Sequence, residues 1–120
     1  MDLTIVQMPN ISDCIQFTST YQINTELTVI AIFKPLDREN SVLLDLYRND
    51  ISEANQIVSG KLLQLNTLIC QPNREVGFPY YLRCINQAGL DLPLNQQTLQ
   101  NFYLQFYSFD DGHIKESSSD

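Results

Sequence analysis

The only histidine, His113, stands beside Asp110, Asp111 and Gly112, the place where an imidazole and carboxylates adjoin in the sequence. A general base or a cation ligand must be held in fixed geometry. Here the surroundings are an acidic, serine-rich run, 110–120, that reads as a flexible tail, and the four ligands of a closed metal site do not converge in it. Asp45, Asp50 and Glu53 offer the carboxylate pair that glycoside hydrolysis needs. They straddle a strand end and its turn, where carboxylates are ordinarily solvated. Ser59-Gly60-Lys61 hints at a phosphate loop, but the earlier glycine is missing and Leu62 replaces the Ser or Thr after the lysine, so a turn or bulge is expected. Phe78, Tyr80 and Tyr81 are interleaved with Arg74 and Arg83, a pattern able to stack single-stranded bases. In an acidic chain the same aromatics read as core on one side of a sheet and protein interface on the other. Asn10-Ile11-Ser12 matches a glycosylation acceptor without a secretory context. No nucleophile–base pair is present, so the sequence predicts no enzyme, no cofactor and no metal.

Composition narrows the class. The 120 residues are 43% apolar and 18% charged, with six Tyr and six Phe and a net charge of −7. That is one domain able to bury about 65% of its unfolded surface unaided, and the opposite of a disordered composition. Without a basic stripe or arm, phosphate-driven nucleic-acid binding is not expected. Cys14, Cys70 and Cys84 lack paired spacing. They read as buried thiols of a protein made in a reducing cytoplasm. Asp2 replaces a basic start, and Gln7 and Pro9 interrupt the first apolar stretch, so no secretory leader is expected. The longest apolar run, 29–33, is far too short to span a bilayer.

The elements that position these residues follow a two-residue period. Ile15, Phe17, Tyr21 and Ile23 form one extended face; Leu27, Val29, Ala31 and Phe33 form the next, with Ile30 and Ile32 on the reverse, which predicts a strand buried on both sides. Lys34-Pro35 is expected to end it. Val42, Leu44 and Leu46 face inward, with Asp45 and Tyr47 outward. After the polar 49–55 connection, 56–58 leads to a Ser59-Gly60 pivot before 61–65. Residues 71–79 read as a loop, 80–85 as a strand, and Asn86-Gln87-Ala88-Gly89 as a turn. The pattern predicts a mainly β, single-domain antiparallel β-sandwich or partly open barrel over 1–109, with at most one short helix near 94–101 and an acidic tail at 110–120.

The order of three short motifs resembles the small baseplate plug proteins of contractile-tailed phages. These are Leu44-Asp45-Leu46-Tyr47; Val58-Ser59-Gly60 leading to Leu62-Leu63; and Tyr80-Tyr81-Leu82 leading to Asn86 and Gly89. An early strand and Pro9-Asn10 fit the same order, and the similarity runs from about Leu3 to Tyr107. The resemblance implies a structural virion protein made in the host bacterial cytoplasm and carried in the tail baseplate. Its partners would be other baseplate, hub and tail-tube proteins in a ring or multi-copy assembly around the tail axis, where it would plug or join the tube. The polar 49–55 connection and the longer acidic tail depart from that pattern. A soluble β-barrel module binding a peptide or small ligand is the alternative reading.

Residues 92–109 carry no charge in eighteen positions, and six of them are Asn or Gln. Tyr103, Gln105, Tyr107 and Phe109 share one face of this last strand, while Leu104 and Phe106 share the other. An uncharged aromatic strand must be covered. With Phe78, Tyr80 and Tyr81, these outward residues are the expected protein interface.

Overall fold

A computed structural model describes residues 2–36, 40–86 and 93–108. Eight strands alternate with short turns among them: β1 (Asp2–Gln7), β2 (Phe17–Gln22), β3 (Thr28–Leu36), β4 (Ser41–Arg48), β5 (Gln56–Leu62), β6 (Leu68–Cys70), β7 (Tyr81–Asn86) and β8 (Phe102–Ser108). They form two four-stranded antiparallel sheets, one ordered β1-β8-β7-β6 and the other β2-β3-β4-β5. Every ladder joins strands consecutive in the chain except β1–β8. This is the expected mainly β, sandwich-like domain.

The two-residue period decides what fills the space between the sheets. β3 and β4 present Val29, Ala31, Phe33, Val42, Leu44 and Leu46 inward, and β7 and β8 answer with Leu82, Cys84, Phe102, Leu104 and Phe106; all of these are fully buried. Each of the Val, Leu and Phe side chains among them contributes roughly 1.5–3 kcal/mol by leaving water. Ile32, on the opposite face of β3, is buried as well.

Several expectations change. Ile15 is 93% exposed and precedes β2 instead of opening its face. Pro35 does not end β3, which runs on to Leu36 and stays paired with β4. The β2 ladder stops at Phe17↔Phe33, so beyond that point one side of β3 is an edge, where a missing N–H is tolerated. The helix expected near 94–101 is only a 3-10 turn, Leu99–Asn101, ahead of β8. Asn95 supports it: its Oδ1 accepts from the Gln97 and Thr98 backbone N–H groups at 2.9 and 3.2 Å. β6 was not anticipated, since three residues show no period. Of the thiols only Cys84 is buried; Cys14 and Cys70 are half-buried. The 87–89 part of the expected turn, Phe109 and the whole 110–120 tail with His113 lie outside the described residues.

Candidate functional site

Asp45, expected to be solvated, turns out to be structural, and Ser59-Gly60-Lys61 forms the bulge that its sequence suggests. Asp45 is buried on the outward side of β4, directly across from Ile32 on β3. Its Oδ2 meets Lys34 Nζ at 2.5 Å and its Oδ1 accepts the Gly60 N–H at 2.6 Å. The cause is a bulge. Leu44 pairs with Lys61 and Leu46 with Val58, so Ser59 and Gly60 together oppose Asp45. Gly60 takes a φ of +59°, and its N–H, displaced from the ladder, is satisfied by the carboxylate. Ser59-Gly60-Lys61 is therefore a bulge clamped by Asp45, with neither the geometry of a phosphate loop nor a free acid.

Asp50 is held separately and stays exposed. Its Oδ1 accepts from Asn55 Nδ2 at 2.7 Å and Ser52 Oγ at 2.9 Å, and these bonds pull its carboxyl below the ordinary carboxylate range. Among the described residues no three His, Cys, Asp or Glu side chains converge on one point.

The aromatic residues divide. Phe78 and Tyr80 are buried, 1% and 4% exposed, so neither offers surface to a partner in this fold. They pack edge to face with each other and with Phe106 at centroid distances of 5.8–6.3 Å. The Tyr80 hydroxyl accepts from Asn24 Nδ2 at 3.1 Å. The 71–79 loop carries Phe78 inward: Asn73 and Phe78 exchange backbone hydrogen bonds across a 3-10 turn closed by Gly77 at φ +69°.

Tyr81, Tyr103, Gln105 and Tyr107 instead gather on the outer face of the first sheet. Register sets Tyr81 across from Tyr107, Arg83 from Gln105 and Ile85 from Tyr103. On the other side of β8, Leu3 stands across from Tyr107, Ile5 from Gln105 and Gln7 from Tyr103. The result is a three-stranded patch of tyrosines, aliphatics and amides, with Arg83 the only charged residue among its nine outward positions. Tyr81 and Tyr107 stack at 5.4 Å with planes 18° apart. The Arg83 guanidinium lies 5.4 Å from the Tyr107 ring centroid and donates to the Tyr107 hydroxyl at 3.2 Å. Tyr107 is consequently almost covered, while Tyr81, Tyr103 and Gln105 are half-buried. Arg83 spends its charge within the patch, and with Phe78 and Tyr80 buried no run of stacking platforms for bases forms.

Beside Tyr81 the patch meets an open cleft of about 450 Å³ lined by Pro72, Arg74, Gly77, Phe78, Pro79 and Ser108. Leu3, Ile5 and Ile85 were not foreseen as part of this face. The alternation of β1 is visible in the sequence, but which side faces out depends on its pairing with β8, a hundred residues away. Comparison with protein-family models, with curated proteins and with solved structures gives no match for this chain.

Proposed function

We propose that the chain is a non-enzymatic structural subunit that docks to neighbouring proteins through the outer face of β1, β8 and β7, and that its setting is the baseplate of a phage contractile tail, plugging or joining the hub and tail-tube region. The observation that carries the docking role is the patch itself: nine contiguous outward positions with one charge, three tyrosines and three aliphatic side chains. Aromatic enrichment with charge depletion is the compositional mark of interface centres. The setting rests on the resemblance in motif order, with Leu44–Tyr47, Val58–Gly60 and Tyr80–Leu82 falling on β4, on the β5 bulge and at the start of β7.

In that setting Asp45, held by Lys34 and the Gly60 amide, serves the bulge of β5 and not the docking face. Tyr103 is the residue to test, because Tyr107 is already engaged by Tyr81 and Arg83. In phage particles assembled with the variant subunit, Tyr103→Lys is expected to be excluded from baseplates while the isolated domain keeps its circular dichroism and thermal midpoint. Normal incorporation of a folded Tyr103→Lys subunit refutes the docking face.

A soluble binding module is the second reading, favoured by the cleft beside Tyr81. The space between the sheets is filled by Phe33, Phe78, Phe102 and Phe106, so a ligand would sit in that outer cleft and not in a barrel interior.

A further inference from the structure

β1 presents a strand edge that the described fold leaves open at Leu3 and Ile5. The Met8 N–H donates to the Phe102 carbonyl at 3.1 Å, extending the β1–β8 ladder by one step. Hydrogen-bonded pairs alternate in an antiparallel ladder, so Asp2, Thr4 and Val6 share the parity of Met8 and turn their backbone groups toward β8. Leu3, Ile5 and Gln7 turn theirs away. The Tyr21 hydroxyl confirms the parity by reaching the Gln7 carbonyl from the far side at 3.2 Å. The N–H and C=O groups of Leu3 and Ile5 meet no partner among the described residues.

Sheets normally guard such edges with short strands, bulges, proline or lysine. β6 is only three residues long, and β5 is bulged twice and carries Lys61. The Leu3-Thr4-Ile5-Val6-Gln7 segment has none of these devices, and Leu3 and Ile5 are 52% and 48% exposed.

We infer that β1 is a strand-addition site whose occupant is β1 of a second copy of this chain, antiparallel, about a twofold axis through Ile5. In that register Ile5 opposes the second copy's Ile5, and Leu3 opposes the second copy's Gln7. The Ile5 groups, the Leu3 carbonyls and the Gln7 N–H groups then pair in about four hydrogen bonds, and each Leu3 N–H shares the facing Gln7 carbonyl with Tyr21. The axis runs perpendicular to the sheet, so both outer faces lie on one side. The exposed Leu3 and Ile5 side chains meet across the seam, and two four-stranded sheets become one of eight strands. Charge selects a second copy over a basic partner. No charged residue lies from Leu3 to Gln7, so each copy's net charge of −7 stays off the seam, and a basic strand would find no carboxylate row to match.

The inference does not depend on the phage setting, and self-association and baseplate incorporation are read separately, so either can fail alone. The test is sedimentation velocity of the full chain from about 1 µM to 1 mM, with circular dichroism of each variant. The wild type is expected to reach dimer mass within that range and to associate more tightly as salt rises, because both copies are acidic. Ile5→Pro removes an N–H that faces away from β8, so it is expected to stay folded and remain monomeric throughout. Thr4→Pro removes a ladder donor and is expected to lose stability. Ile5→Lys leaves the backbone intact, sets like charges against each other at the axis, and is expected to abolish the dimer as well. A wild type that is monomeric at 1 mM overturns the site, as does a dimer that survives Ile5→Pro or Ile5→Lys. An unfolded Ile5→Pro overturns the parity assignment, and association that salt weakens overturns the choice of a second copy.

Discussion

Replacing Asp45 separates the two tasks its carboxylate performs. In Asp45→Ala the Gly60 N–H loses a charge-assisted hydrogen bond of 2.6 Å, and the bulge loses the acceptor that replaced its ladder partner. Hydrogen bonds to charged groups contribute about 1.5–3 kcal/mol. Lys34 is 41% exposed along its side chain and regains water, so its release adds little. The expected loss is therefore about 2–3 kcal/mol, which lowers the thermal midpoint of a chain this size by roughly 10 °C. Asp45→Asn keeps an oxygen for Gly60 and gives up only the ion pair, for an expected loss of about 1 kcal/mol. Urea unfolding followed by circular dichroism measures both, at unchanged slope. If alanine and asparagine each cost under about 0.5 kcal/mol, the carboxylate is not the clamp of the bulge. If asparagine costs as much as alanine, the ion pair with Lys34 dominates and the hydrogen-bond argument is wrong.

Phe106→Ala empties the centre of the aromatic triangle with Phe78 and Tyr80, and should cost about 3–5 kcal/mol in the same unfolding experiment; a loss below 1 kcal/mol would place the packing centre elsewhere. Gly77→Ala puts a Cβ 3.2 Å from Arg48 Nε at a φ of +69°, so a loss of about 1–2 kcal/mol is expected, with unfolding midpoints as the check. Burial pushes the Cys84 thiol up to about 12, and the Cys70 thiol to about 12 despite the opposing charge of Lys61, from an ordinary 9.0. Folded values above the unfolded ones mean this stability is complete below pH 9 and is lost as pH rises toward 12, because the unfolded chain ionises first. Tyr21, raised by burial against a hydrogen bond to Ser19, adds to the same alkaline loss. Unfolding measured from pH 8 to 11 should show the decline, and Cys84 should react with a thiol reagent at pH 8 only after denaturation.

Strand faces were legible wherever the period was long. Leu27 to Phe33, Val42 to Leu46, and the division of Tyr103, Gln105 and Tyr107 from Leu104 and Phe106 all stand in the structure as the alternation implies. Gly60 was also readable, because a glycine after a polar residue inside an apolar run marks a bulge. The burial of Asp45 was not. Its neighbours place it outward, and only the bulge of β5 and the reach of Lys34 enclose an outward residue. Phe78 and Tyr80 belong to the same case: a loop and a strand start give no period, so the Asn73–Phe78 closure that turns them inward depends on contacts the local sequence does not show. The docking patch was half visible. Its β7 and β8 residues announced themselves by type, whereas Leu3 and Ile5 joined through a pairing that spans almost the whole chain.

That pairing also sets the order in which the molecule can fold. The sheet of β2 to β5 is a run of local hairpins and can close as soon as Leu62 has left the ribosome. Among the described strands β1 emerges first, yet its ladder partner there, β8, emerges last and must insert between β1 and β7. Until β8 emerges the Leu3-Thr4-Ile5-Val6 segment is an unpaired apolar strand awaiting a contact about a hundred residues away. Such distant closures make folding slow and leave strands open to wrong partners meanwhile. The first sheet is thus completed only after the second can form, and the yield of soluble protein depends on how long β1 is kept apart from other nascent chains.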